Sequence, residues 1–256
     1  MAKRKNKKLG LLDLINEETI YEELTPENMQ MKRPKWIVKS KKLTEKQKLF
    51  LELALEDKTN IVFVDGPAGS TKTYMAVYSA LRMLREDDDL DLLYLRTIIE
   101  SGSRNMGALP GNVEEKFCPY SQPLQEKLEE LLDRDVITDL EKKGKLEAQP
   151  INFIRGANWR NKIVIADECQ NFTFKEIYTM ITRLGENSKL FVCGDSSQAD
   201  IPNSGFKEMK NIFSFHQAEE KGIYHFPFDS SDIRRSKFLS FIIKTVERYN
   251  TINQKK

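Results

Sequence analysis

The sequence predicts an α/β protein with a mostly parallel sheet covered by helices on both faces. Three observations carry this expectation. Short apolar runs such as Ile61–Val64 and Ile163–Ala166 alternate with longer stretches of helical periodicity. The runs lack polar alternation, as strands buried on both faces require. The chemically richest clusters (Gly66 to Thr73, Asp167-Glu168 and Asp195 to Gln198) each follow such a run. They therefore fall at strand C-termini, where open α/β sheets bind ligands.

Residues 1–42 read as a basic N-terminal arm or linker, and 43–256 as the domain. Lys3, Arg4, Lys5, Lys7 and Lys8 form a tail that is either solvated or a salt-dependent contact to a phosphate backbone. Leu11, Leu12, Leu14 and Ile15 suggest a short docking helix. Thr44 opens the domain as a helix cap with Gln47 completing a capping box, and Leu49, Phe50, Leu53 and Ala54 give a stripe. Strand Ile61–Asp65 follows, then a helix from Lys72 to about Arg85, ended by the acidic run Glu86 to Asp89.

The second strand is Leu92–Leu95. It feeds a long Gly/Ser-rich loop, Arg96 to Asn112, which is too long for a plain connector. A helix is expected over Gln122–Leu132 and an insertion around Lys142–Lys145. Strands are expected at Ile151–Ile154, Lys162–Ala166, Lys189–Cys193 and Ile223–Phe228. Helices are expected at Phe174–Leu184, Phe206–Phe213 and Arg235–Tyr249.

Composition excludes several classes. A net charge of +2 gives no global case for nucleic acid. No apolar run reaches the length of a membrane span, and no signal peptide opens the chain. Cys118, Cys169 and Cys193 lack any C-x-x-C spacing, which argues against disulfides and zinc. His216 and His225 are too few for a His-based metal site. A reduced cytoplasmic protein is the expected setting.

The stretch IVFVDGPAGSTKT (61–73) carries the chemistry. A strand, a glycine turn and Lys-Thr at a helix start make a cradle of backbone N–H groups for phosphate. Gly66, Pro67, Ala68, Gly69, Ser70 and Thr71 would line it. Lys72 would reach the β/γ-phosphates and Thr73 would hold Mg²⁺. Thr71 stands where this motif takes glycine. Either it keeps negative φ, or nucleotide binding is weakened. Asp167, ending a strand, would meet the metal, and Glu168 would orient or deprotonate the attacking water.

Asp195 and Gln198 would sense the γ-phosphate, with capping of the next segment as the alternative. Gln47 is open to two roles, reading an adenine edge or simply capping. An arginine finger is sought among Arg183, Arg234 and Arg235, each of which is equally compatible with an ordinary surface role.

The ordered set GPAGSTKT (66–73), LPGNVEEKFCPYSQPL (109–124), IRGANWRNKIVIADECQN (154–171), TRLG (182–185), GDSSQADIP (194–202) and DIRRS (232–236) resembles the PhoH family. That resemblance runs from about Thr44 to Tyr249. It implies a RecA-like P-loop NTPase related to the first motor domain of superfamily 1 helicases, with ATP and Mg²⁺ as cofactors and a link to RNA. By position, Lys72 and Thr73 match the family's phosphate loop, Asp167 and Glu168 its acidic pair, and Gln47 its adenine-reading glutamine. Asp195 and Gln198 match the phosphate sensor, and Arg235 the late arginine. Thr71 in place of glycine and Cys169 in place of alanine are departures.

Two functions are expected from this. One is an ATPase acting on single-stranded RNA or DNA. With one motor domain it would form a homo-oligomer, a hexameric ring favoured, with Arg235 or Arg183 donated across the interface. Arg96, Arg104, Lys116, Arg155 and Arg160 would contact phosphates, and Trp159 would either stack a base or pack under a loop. The alternative is a nucleotide-gated assembly module with little turnover and no unwinding.

Overall fold

The computed structural model describes residues 36–97, 113–154, 156–201 and 203–233, together with helical positions 238, 241, 242, 245 and 249; residues 113–119 are described by backbone alone. Six strands form one sheet, β1 (Ile61–Asp65), β2 (Asp91–Arg96), β3 (Leu146–Pro150), β4 (Lys162–Asp167), β5 (Lys189–Gly194) and β6 (Ile223–Pro227). Their order is β3-β2-β4-β5-β1-β6, and every pairing is parallel. The expected sheet is present, and β1 and β4 lie one strand apart with β5 between them.

Alternation along each strand splits the core into two layers, because successive side chains point to opposite faces. Val62, Val64, Leu92, Tyr94, Ile163, Ile165, Phe191 and Cys193 pack into one layer, under helices α1 (Glu45–Leu55), α2 (Lys72–Glu86), α3 (Val113–Leu131) and α4 (Arg134–Lys142). Their neighbours Ile61, Phe63, Leu93, Leu95, Val164, Ala166, Leu190 and Val192 pack into the other, under α5 (Phe174–Ile181) and α6 (Phe206–Ile212). A short α7 (His216–Glu220) leads into β6.

Helix α1 begins with the expected capping box. Thr44 Oγ1 accepts from the Gln47 N–H at 3.1 Å, and Gln47 Oε1 accepts from the Thr44 N–H at 2.9 Å. Its buried face is Phe50, Leu51 and Ala54 rather than the full expected stripe, and Leu49 is exposed. Lys46, beside Gln47, pairs with Asp229 at 2.6 Å and Asp232 at 2.9 Å, tying this helix to the segment after β6.

Four expectations need correction. The strand expected at Ile151–Ile154 lies earlier, at Leu146–Pro150, and Ile151–Phe153 is a 3₁₀ turn. The residues 134–142 form a helix, with the insertion reduced to a turn at Gly144. Helix α3 starts at Val113, nine positions before Gln122, although its sequence holds Pro119 and Pro123. Helix α5 ends at Ile181, short of Leu184. Among the described residues, no helix is long and apolar enough to cross a membrane.

Candidate nucleotide-binding site

The C-terminal tips of β1, β4 and β5 open into a cavity of about 830 Å³, within the roughly 300–1,000 Å³ usual for small-molecule sites. Gln47, Ala68, Gly69, Thr71, Lys72, Thr73, Arg96, Asp167, Glu168, Gln170, Asp195 and Gln198 line it. These residues meet at one place, although they come from five separate stretches of chain.

The loop after β1 is shaped by backbone demands. A Cβ on Gly66 would sit 2.6 Å from the Phe228 carbonyl oxygen and 2.9 Å from Phe228 Cβ, so only glycine fits there. Gly69 takes φ 79°, in the left-handed region. Lys72 folds back over the loop, donating to the carbonyls of Gly66 at 2.6 Å and Pro67 at 2.9 Å. Ser70 is fully buried, and its Oγ finds no hydrogen-bond partner among the described residues.

Thr71 resolves one open question. It adopts φ 68° and ψ 13° as the residue before α2, so of the two alternatives the negative φ is not the one observed. Its Oγ1 accepts from Gln47 Nε2 at 3.0 Å. A left-handed β-branched residue is a strained conformation.

Helix α2 passes over β5 toward β4 and carries Thr73 to the acid at the tip of β4. Thr73 Oγ1 donates to Asp167 Oδ1 at 2.7 Å. The other oxygen, Oδ2, accepts from the Tyr94 hydroxyl at 2.6 Å. Burial, and then the nearby Asp167 carboxylate, push the Tyr94 hydroxyl far above its ordinary pKa. It therefore stays protonated and keeps donating. Glu168 also takes a left-handed conformation, φ 56° and ψ 38°. Such outliers concentrate at functional sites.

Two residues escaped the sequence reading. Tyr94 looked like ordinary strand filling, yet it holds Asp167. Gln170 donates from Nε2 to Glu168 Oε2 at 2.6 Å and accepts on Oε1 from the Asp195 N–H at 3.1 Å. It thus links the acidic pair to the loop after β5. Its position in the run DECQN was the available signal. Asp195 Oδ1 accepts from the Ser197 N–H and hydroxyl, whereas Oδ2 is buried and has no hydrogen-bond partner among the described residues. Gln198 is exposed on the cavity wall.

At the far edge of β1, Asp65 accepts from the Ser196 N–H at 2.9 Å and from Lys210. Burial opposes its charge, but Lys210 and Ser196 hold its pKa below the usual carboxylate value. Cys169 and Cys193 are both buried, and desolvation pushes their thiols well above the ordinary value.

Other expected residues lie elsewhere. Arg183 is near the N-terminal edge of the sheet, where Nε faces the Thr179 carbonyl at 3.4 Å and a terminal nitrogen faces that of Ala157 at 3.5 Å. It does not line the cavity of its own chain. Trp159 is buried against Leu184, and Arg160 faces Glu186 at 4.0 Å, both at that same edge. The reason is directional: residues just before a parallel strand sit at its opening end. Trp159 is thus core packing and not a stacking platform. Arg234, Arg235, Arg104, Arg155 and the side chain of Lys116 lie outside the described residues.

The donor set fits a metal-bound nucleotide. A hydroxyl and a carboxylate oxygen stand 2.7 Å apart at the cavity, and both are oxygen ligands of the kind Mg²⁺ takes. Lys72 already rests on carbonyl oxygens where phosphate oxygens could replace them. The all-parallel sheet, its phosphate-type loop after β1 and the acid on β4 define a RecA-like P-loop fold.

Residues 39–247 match the PhoH-like protein family. The chain belongs to that family. It is 33% identical over 194 residues to the PhoH-like protein of Synechocystis, covering 75% of this chain and 58% of the relative. With the PhoH-like protein of Bacillus subtilis it shares 33% over 198 residues, 77% of this chain and 61% of that one. With protein PhoH of Escherichia coli K12 it shares 32% over 176 residues, 68% and 49% respectively. The chain therefore spans only about half to three-fifths of these relatives' length. A crystal structure of the DUF1998 helicase MrfA bound to DNA overlaps 72% of this chain and 27% of its own, at 13% identity and TM-score 0.42.

Proposed function

We propose that this protein binds and hydrolyses ATP with Mg²⁺ in the cavity at the tips of β1, β4 and β5. The observation that carries this reading is the Thr73–Asp167 hydrogen bond beside Lys72, which joins the phosphate loop to the acidic strand end. When bound, Mg²⁺ supplies Lewis-acid stabilisation of charge on the transferring phosphoryl group. Thr73 and Asp167 would hold it. Lys72 would exchange its two carbonyl contacts for the β/γ-phosphates. Glu168, held by Gln170, would accept a proton from the attacking water. Asp195 and Gln198 would face the γ-phosphate, and Gln47 the base.

The catalytic arginine would come from Arg235 or from Arg183 of a neighbouring copy, since Arg183 is remote from its own cavity. Exposed Phe238, Phe241 and Tyr249 on the C-terminal helical stretch support assembly into a homo-oligomer, with a hexameric ring favoured. Single-stranded RNA or DNA would be the partner, with Arg96 at the tip of β2 as a first phosphate contact. The strained Thr71 favours a second reading, a nucleotide-gated assembly module with little turnover.

Phosphate release tests both. The wild type should turn over ATP, and Glu168→Gln should lose roughly 10²–10⁴-fold in rate while still binding nucleotide. Stimulation by single-stranded RNA is expected. Absent turnover in the wild type favours the gated module, and turnover indifferent to RNA removes the proposed partner.

A further inference from the structure

The residue that departs from the phosphate-loop pattern makes a contact that glycine could not make. Gln47 has a fixed orientation because only its carbonyl oxygen can accept from the Thr44 N–H. Its Nε2 therefore faces Thr71, and one of the two N–H groups goes to Thr71 Oγ1. Gln47 is 5% exposed, yet both it and Thr71 line the cavity. After these two bonds the amide retains one free N–H and one free lone pair, at fixed positions. We propose that Thr71 sets the nucleobase selectivity of the cavity by acting as the second anchor of the Gln47 amide. This rests on the nucleotide reading of the site given above.

The chemistry of the bases makes the consequence specific. A held N–H and a held oxygen match adenine, which offers the N7 acceptor and the 6-amino donor side by side. Guanine places O6 where adenine has the amino group, so two acceptors would meet. An amide anchored at Thr44 alone can swing and lose this discrimination. Thr71 acts through Gln47, so it is a positioning residue and does not itself touch the reacting atoms. Its left-handed backbone is the cost of presenting the hydroxyl there.

Competition binding with ATP, GTP and inorganic triphosphate on the full chain tests this. The wild type should prefer ATP. Thr71→Gly should reduce the ATP-to-GTP preference roughly threefold to tenfold, the loss of about one neutral hydrogen bond's worth of positioning. Its thermal midpoint should rise, because glycine relieves the strain. Thr71→Ser, which keeps the hydroxyl, should retain the preference. In a Gln47→Ala background, Thr71→Gly should change selectivity no further.

An unchanged ATP-to-GTP ratio in Thr71→Gly overturns the inference, as does a wild type indifferent to the base; both leave the phosphate site standing. A wild type that binds neither ATP nor triphosphate removes the nucleotide reading and this inference together.

Discussion

Replacing Tyr94 with phenylalanine deletes one oxygen and leaves the ring in its buried place between β2 and the helical layer. The lost group is the donor to Asp167 Oδ2 at 2.6 Å. Asp167 is 6% exposed and keeps Thr73 Oγ1 on its other oxygen. A hydrogen bond to a charged partner contributes about 1.5–3 kcal/mol. Because Asp167 borders the open cavity, water can reach part of the vacated position, so the lower end of that range applies. About 1.5 kcal/mol corresponds to roughly a tenfold loss in the folding constant. Urea unfolding of the wild type and Tyr94→Phe, read by circular dichroism, measures this directly. The same substitution in an Asp167→Asn background should cost about 1 kcal/mol less, since a neutral acceptor gains less from the hydroxyl. A loss under about 0.5 kcal/mol, or an equal loss in both backgrounds, refutes the claim that Tyr94 acts through Asp167.

Lys189 should leave a pH signature. Burial lowers its pKa from 10.5 to about 8, against the pull of Asp57 and Glu56, while its ammonium donates to the carbonyls of Ala54 and Glu56. The unfolded chain binds this proton more tightly, so stability should rise as pH climbs from about 8 toward 10.5. Lys189→Met should lack that rise when urea midpoints are compared across the interval. Gly66→Ala should destabilise by about 1–3 kcal/mol through backbone overpacking against Phe228, read as a lower thermal midpoint. Gln170→Ala frees the Glu168 carboxylate, and turnover should drop roughly ten- to a hundredfold through misplacement alone while ATP affinity holds. Equal losses in rate and affinity would instead mark Gln170 as a binding residue.

The parts legible in the sequence are those where burial leaves little freedom. Strands β1, β4 and β5 are covered on both faces, so Ile61–Val64, Ile163–Ala166 and Leu190–Cys193 could only be apolar, and the acids or glycines ending them stood out. Strand β3 is an edge strand, and its sequence LEAQP carries no apolar pattern. The neighbouring Ile151 and Ile154 are buried in the second core layer, but from a 3₁₀ turn. That burial made them resemble a strand.

Helix α3 runs through Pro119 and Pro123, and the packing of Leu124, Leu128 and Leu131 in the core outweighs them. Thr71 was flagged correctly as a departure, but its remedy required Gln47, which lies 24 positions away. Arg160 and Trp159 are expected from the sequence at a nucleic-acid contact, and Arg183 as an arginine finger. Strand direction sends them to the opposite edge.

The most direct measurement is equilibrium binding of ATP with Mg²⁺ to the full chain, wild type beside Lys72→Ala. The account predicts one ATP per wild-type chain and at least a roughly tenfold weaker affinity in the variant, from losing a charge-assisted phosphate contact. Equal affinity in the two proteins, or no binding by the wild type, would contradict it.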